Sequence, residues 1–80
     1  MSELSRLRWR CRRGMKELDL LLEAYLERRY PLATAEEQRA FEAVLDLQDP
    51  ELHAYVVGRA IPAEAPQAAV IQYIRAAVQP

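Results

Sequence analysis

A small all-α fold, a five-helix bundle, is what three features of the sequence predict. Apolar residues recur every three or four positions along most of the chain, and no stretch alternates apolar and polar residues as a half-buried strand does. Hydrophobic residues make up 51% of the chain, enough to order a core in 80 residues that are too few to divide further. The five prolines and two glycines fall near expected helix ends rather than inside helices. The chain is therefore read as one domain, 1–80, with residues 62–80 as a looser C-terminal helix or arm, because Ala60 to Ala69 is rich in alanine and proline.

The first helix is expected from Ser2, a good N-cap, to Arg13, with Leu4, Leu7 and Cys11 forming one narrow apolar stripe. At 100° per residue Trp9 points away from that stripe, toward the side of Arg6, Arg12 and Arg13, and the expectation is that another part of the bundle covers it. Gly14 then makes a sharp corner that needs no Cβ. The second helix runs from Met15 to about Arg29 and places Met15, Leu18, Leu22, Tyr25 and Leu26 on one face, with Leu21 at its edge. Glu17 lies nearly opposite, near Leu20, Ala24 and Arg28, so it stays out of the core. Pro31 ends this helix and pushes Tyr30 toward an extended conformation.

Thr34-Ala35-Glu36-Glu37 reads as a capping box, with Thr34 as N-cap and Glu37 reaching back, and it opens a third helix to about Leu47. Phe41, Val44, Leu45 and Leu47 form its inner side. Asp49-Pro50 starts a short fourth helix, Asp49 capping and Pro50 at the first helical position, which carries Leu52, Tyr55 and Val56 inward and ends at Gly58. A fifth helix after Pro62 or Pro66 places Val70, Ile71, Ile74, Ala77 and Val78 at helical spacing.

The residue inventory excludes several chemistries. His53 is the sole histidine and Cys11 the sole cysteine, so neither a His/Cys metal site nor a histidine-assisted nucleophile is supported, and Cys11 reads as core filler on its stripe. The two glycines stand too far apart for a phosphate loop. Glu17 and Asp19 point about 200° apart on a helix and do not make an acid/base pair. The chain is not expected to be an enzyme. No apolar run approaches the roughly 20 residues of a membrane span, the N-terminus lacks a signal-peptide core, and a single cysteine suits a reducing compartment.

The net charge of −1 conceals an asymmetry: residues 1–20 carry a net +3 and residues 21–80 a net −4. The basic end is the expected docking surface. At its centre, Arg12-Arg13-Gly14-Met15-Lys16-Glu17-Leu18-Asp19 admits three readings. It can be a capped corner with Glu17 and Asp19 favouring the positive end of the second helix. It can be a recognition surface, where a partner backbone approaches the bare Gly14 while Arg13 and Glu17 make charge-assisted hydrogen bonds on either side. It can be an arginine helix for RNA or DNA, with Trp9 for stacking, although an acidic remainder and a single lysine weigh against that.

Trp9, Cys11-Arg12-Arg13-Gly14-Met15-Lys16-Glu17-Leu18-Asp19, Phe41, Leu45, Asp49-Pro50-Glu51-Leu52, Gly58 and Pro62 together resemble the small FAD assembly factors of succinate dehydrogenase, which share an Arg-Gly-x-x-Glu motif. The resemblance spans residues 6–62 and departs from the family at Tyr55 and His53, where an aromatic such as tryptophan and a phenylalanine are usual. It implies a five-helix bundle that binds the flavoprotein subunit of succinate dehydrogenase, and in bacteria often that of fumarate reductase. There it promotes covalent attachment of FAD to a histidine of the subunit by positioning rather than by its own catalysis. It implies FAD on the partner and no cofactor of the factor's own. The motif falls on Arg13, Gly14 and Glu17, with Arg12, Lys16 and Trp9 as neighbouring partner-binding residues. Ten arginines against one lysine suit a bacterial genome, and the bacterial cytoplasm is the expected location.

Overall fold

The computed structural model describes residues 2–77, and among them are five α-helices: α1 (Glu3–Arg10), α2 (Lys16–Arg28), α3 (Ala35–Leu45), α4 (Asp49–Val56) and α5 (Ala65–Ala76). A 3-10 turn covers Tyr30–Leu32, and the described residues contain no strand.

Each helix contributes to a single core. Leu7 and Cys11 come from α1 and its cap, Leu18, Leu22, Tyr25 and Leu26 from α2, and Ala40, Phe41, Val44 and Leu45 from α3. Leu52 and Val56 of α4 and Val70, Ile71 and Ile74 of α5 complete it, with Met15, Leu21, Leu47, Tyr55 and Ala77 packed at its margin. Phe41 sits against two tyrosines, its ring centroid 4.5 Å from that of Tyr25 and 5.6 Å from that of Tyr30, both tilted, an arrangement aromatic quadrupoles favour. The stretch expected to be a looser C-terminal helix or arm contains α5, which packs most extensively on α3 and also on α2 and α4. Val78 lies outside the described residues.

Local chemistry explains most boundaries. The Ser2 hydroxyl accepts the Ser5 N–H at 3.1 Å and caps α1, and Thr34 does the same for Glu37 at 3.1 Å in α3. Gly58 closes α4 at φ 86°: its N–H bonds the Tyr55 carbonyl and the Arg59 N–H bonds that of Ala54, the paired bonds of a Schellman ending.

Five expectations need correction. The first helix stops at Arg10, because the N–H of Arg13, which a continuing helix would spend on Trp9, is taken by a side chain of α2. Leu4 is exposed, since α1 is too short and too peripheral to bury more than Leu7 and Cys11. Trp9 is not covered: it is 69% exposed. Tyr30 is not extended but opens the 3-10 turn, where its buried ring against Phe41 outweighs the bias of the following proline. Neither acidic capping assignment holds in full: the Glu37 carboxylate does not reach back to Thr34, and Asp49 is the first helical residue after Gln48, with no side-chain cap bond there. Both carboxylates are claimed by arginines instead.

Candidate functional site

The corner between α1 and α2, residues 11–15, is built by two carboxylates and one guanidinium. Gly14 stands at φ 85°, a left-handed conformation that L side chains rarely adopt. Asp19, in the first turns of α2, turns back over it: Oδ1 accepts the Arg13 N–H at 2.8 Å and Oδ2 accepts the Gly14 N–H at 3.1 Å. One carboxylate thus satisfies two consecutive N–H groups that neither helix can use.

Arg13 turns inward. Its Nη1 donates to the Leu47 carbonyl at 3.1 Å and to Asp49 Oδ1 at 3.2 Å, and its Nη2 donates to the Leu45 carbonyl. The side chain is only 16% exposed, and Nε is buried without a hydrogen-bond partner among the described residues. The reason lies in α3, which has no basic residue in its last turn to meet its own carbonyls. Arg10 supplies a second cation to the same end, donating to Asp46 and to the Glu42 carbonyl. The cations missing from α3 are therefore delivered from α1 and the corner.

The other motif residues face outward. A Cβ built on Gly14 would meet nothing within 4 Å, so its outer side is open. Glu17 and Lys16 are exposed and make no ion pair among the described residues. Leu20, one turn beyond Glu17, is 60% exposed on the outer side of α2. The Arg12 guanidinium lies 5.7 Å from the centre of the Trp9 ring and 3.8 Å from Glu23, so it bridges the exposed indole to α2. Trp9 also walls a groove of about 340 Å³ with Glu3, Arg6, Leu7, Arg10 and Glu42, where two guanidinium groups and two carboxylates offset each other.

Of the six residues expected to bind a partner, Trp9, Arg12, Gly14, Lys16 and Glu17 are exposed, with Arg12 over the Trp9 ring, and Arg13 is held within the fold. Reading the sequence missed Asp19 and Asp49, which hold the corner; the signal available was that each is an acid beside a helix start with a nearby arginine to satisfy. The exposure of Leu20 agrees with its expected place beside Glu17, opposite the core stripe of α2. The groups in the corner offer hydrogen bonding and charge but no activated nucleophile: Cys11 is buried, and burial pushes its thiol up to about 12. Among the described residues, no cluster of three or more His, Cys, Asp or Glu residues is arranged to hold a metal ion, and no helix is long and apolar enough to cross a membrane.

The profile of the family described as flavinator of succinate dehydrogenase matches residues 5–78. Similar proteins named FAD assembly factor SdhE occur in several bacteria. The one from Methylococcus capsulatus is 45% identical over 78 residues, covering 98% of this chain and 94% of its own length. That of Xylella fastidiosa is 43% identical over 75 residues (94% of this chain and 77% of its own), and that of Pseudomonas aeruginosa 37% over 79 residues (99% and 94%).

Proposed function

The chain belongs to the flavinator of succinate dehydrogenase family, and on that premise we propose that it is an FAD assembly factor that docks through the outer side of the Gly14 corner. Its target is the flavoprotein subunit of succinate dehydrogenase, and the same surface serves the flavoprotein of fumarate reductase. The observation that carries the docking site is the open Gly14 at φ 85° beside an unpaired Glu17: a glycine with nothing above it admits a partner backbone, and a solvated carboxylate supplies a directional acceptor next to it. Lys16, Arg12, Trp9 and Leu20 are exposed nearby in the chain and offer donors and apolar surface.

The factor works by positioning. It supplies no nucleophile and carries no cofactor; FAD resides on the partner, where it becomes bonded to a histidine of the flavoprotein. Docking favours the arrangement of the flavoprotein in which that histidine and the flavin are aligned, a gain of proximity rather than of new chemistry. The relatives are bacterial, and the bacterial cytoplasm is where the factor acts.

A nucleic-acid-binding role for the basic first helix finds no support. Arg8, Arg10, Arg12 and Arg13 pair with Glu27, Asp46, Glu23 and Asp49, so most of the basic charge of residues 1–20 is neutralised within the molecule. The test of the docking role is covalent flavin on the flavoprotein, read by in-gel fluorescence in a strain lacking other copies of the factor. Glu17→Ala or Gly14→Arg is expected to abolish it while the helical circular dichroism remains. Unchanged fluorescence with either variant defeats the proposal.

A further inference from the structure

We propose that Asp19 and Asp49 are positioning residues of the docking corner, Asp19 acting through the backbone of Arg13 and Gly14 and Asp49 through the Arg13 guanidinium, so that Arg13 is an internal clamp and not a partner contact. The inference rests on the docking role of Gly14 and Glu17.

Residues 11–15 lie outside both helices, and glycine by itself leaves a corner free to sample many conformations. Two sets of bonds select one of them. The two oxygens of Asp19 each take a different N–H, from consecutive residues, which fixes the orientation of both peptide planes that lead into Gly14. The guanidinium of Arg13 meets three acceptors spread over the α3–α4 junction, which fixes where the corner sits on the bundle. Arg13 would have to break all three bonds to reach a partner. Asp49 is the one acceptor among them that is a charged side chain, and its departure would leave the guanidinium, whose Nε already lacks a partner, without a counter-charge. Glu17 is carried on α2, whose Leu18 and Leu22 are buried in the core, whereas Gly14 lies outside both helices, so the direction in which Gly14 faces beside Glu17 follows from Asp19 and Asp49.

The two roles for Arg13 predict opposite effects of Asp49→Asn. A clamp loses its counter-ion and the corner loosens; an arginine destined for the partner is released and docks as well as before or better. The experiment uses the full chain with the FAD-supplied flavoprotein subunit of succinate dehydrogenase, following covalent flavin formation against factor concentration. Circular dichroism and hydrogen exchange at the Gly14 amide are measured on the free factor. Asp19→Asn and Asp49→Asn are expected to keep the helical signal, to accelerate Gly14 exchange, and to raise the half-saturating concentration by about tenfold, the loss of one charge-assisted hydrogen bond, with the rate recovering at saturation. A purely structural effect would instead lower the folded fraction and leave the half-saturating concentration of the folded protein alone. Should Asp19→Asn fail to fold, Asp49→Asn still decides the matter. Half-saturation unchanged in folded Asp49→Asn, with Glu17→Ala inactive in the same series, overturns the clamp and leaves the docking role standing. Wild-type yields from Glu17→Ala and Gly14→Arg overturn the docking role, and the clamp inference with it.

Discussion

Gly14 has open space where a Cβ would sit, so the cost of replacing it is set by its backbone alone. An L residue in the left-handed region costs about 1–2 kcal/mol, and for a domain of this length each kcal/mol lowers Tm by roughly 4–8 °C. Gly14→Ala is accordingly expected to fold, with a thermal midpoint lower by that amount in a circular-dichroism melt; an unshifted midpoint would mean that the corner relaxes out of its conformation. Cys11 is the opposite case, a residue with no room around it. Burial, helped by Glu23, pushes its thiol from the usual 9.0 up to about 12. Because the folded value is raised, the stability this thiol contributes is complete below pH 9 and is lost as the pH rises toward 12. At pH 8 Cys11 is expected to resist a thiol-specific chromogenic reagent until the protein is unfolded in guanidinium. Rapid reaction in buffer would show that the core opens there.

At the scale of elements, the helices were legible wherever an apolar stripe met a start or stop signal, as in α2 between Gly14 and Pro31 and in α3 behind its Thr34 cap. What sequence reasoning missed was which partner each capping acid would choose, a choice that depends on arginines distant in the chain. Glu37 is an example: it fits the capping box with Thr34, yet its carboxylate accepts Arg29 Nε at 2.8 Å, Arg29 Nη2 at 3.1 Å and the Tyr25 hydroxyl at 2.7 Å. A bidentate guanidinium outcompetes one backbone N–H. The Arg29 guanidinium in turn stacks 3.4 Å from the Tyr73 ring, so one cluster ties α2 to both α3 and α5. Hydrogen bonding from Arg29 holds the Glu37 carboxyl below its ordinary 4.5. A lowered folded value makes this contribution present above pH 4.5 and lost as the pH falls through the folded value. Glu37→Gln should therefore be less stable than wild type at pH 7, and urea midpoints of the two proteins should converge as the pH falls from 4.5 through the lowered folded value. A constant difference between pH 7 and pH 3 would show that the ionised carboxylate is not what holds the cluster.

At the scale of the whole molecule, charge counted along the chain is not the charge the folded surface presents. The net +3 of residues 1–20 suggested a basic surface, but position in sequence says nothing of pairing in space, and four of those arginines meet acids from residues 21–80. The asymmetry fastens α1 and the corner to α2, α3 and α4. The docking surface proposed at Gly14 is a small open point, which the motif marks and charge alone does not. Toward residue 77, the alanine and proline of residues 60–69 cover both a non-helical connection, 60–64, and the first turns of α5, whereas the spacing of Val70, Ile71 and Ile74 foretold a face that joins the core. That contrast can be measured. Ile74 is fully buried, and truncating such a side chain to alanine costs about 2–5 kcal/mol. At roughly 0.05–0.15 kcal/mol per residue, a domain of this size holds only about 4–12 kcal/mol in all. If α5 completes the core, Ile74→Ala should remove a large share of that stability, lowering the urea midpoint of the entire transition with its slope unchanged. An arm that merely rests on the other helices would leave the midpoint where it was, and α5 would have to be taken out of the fold.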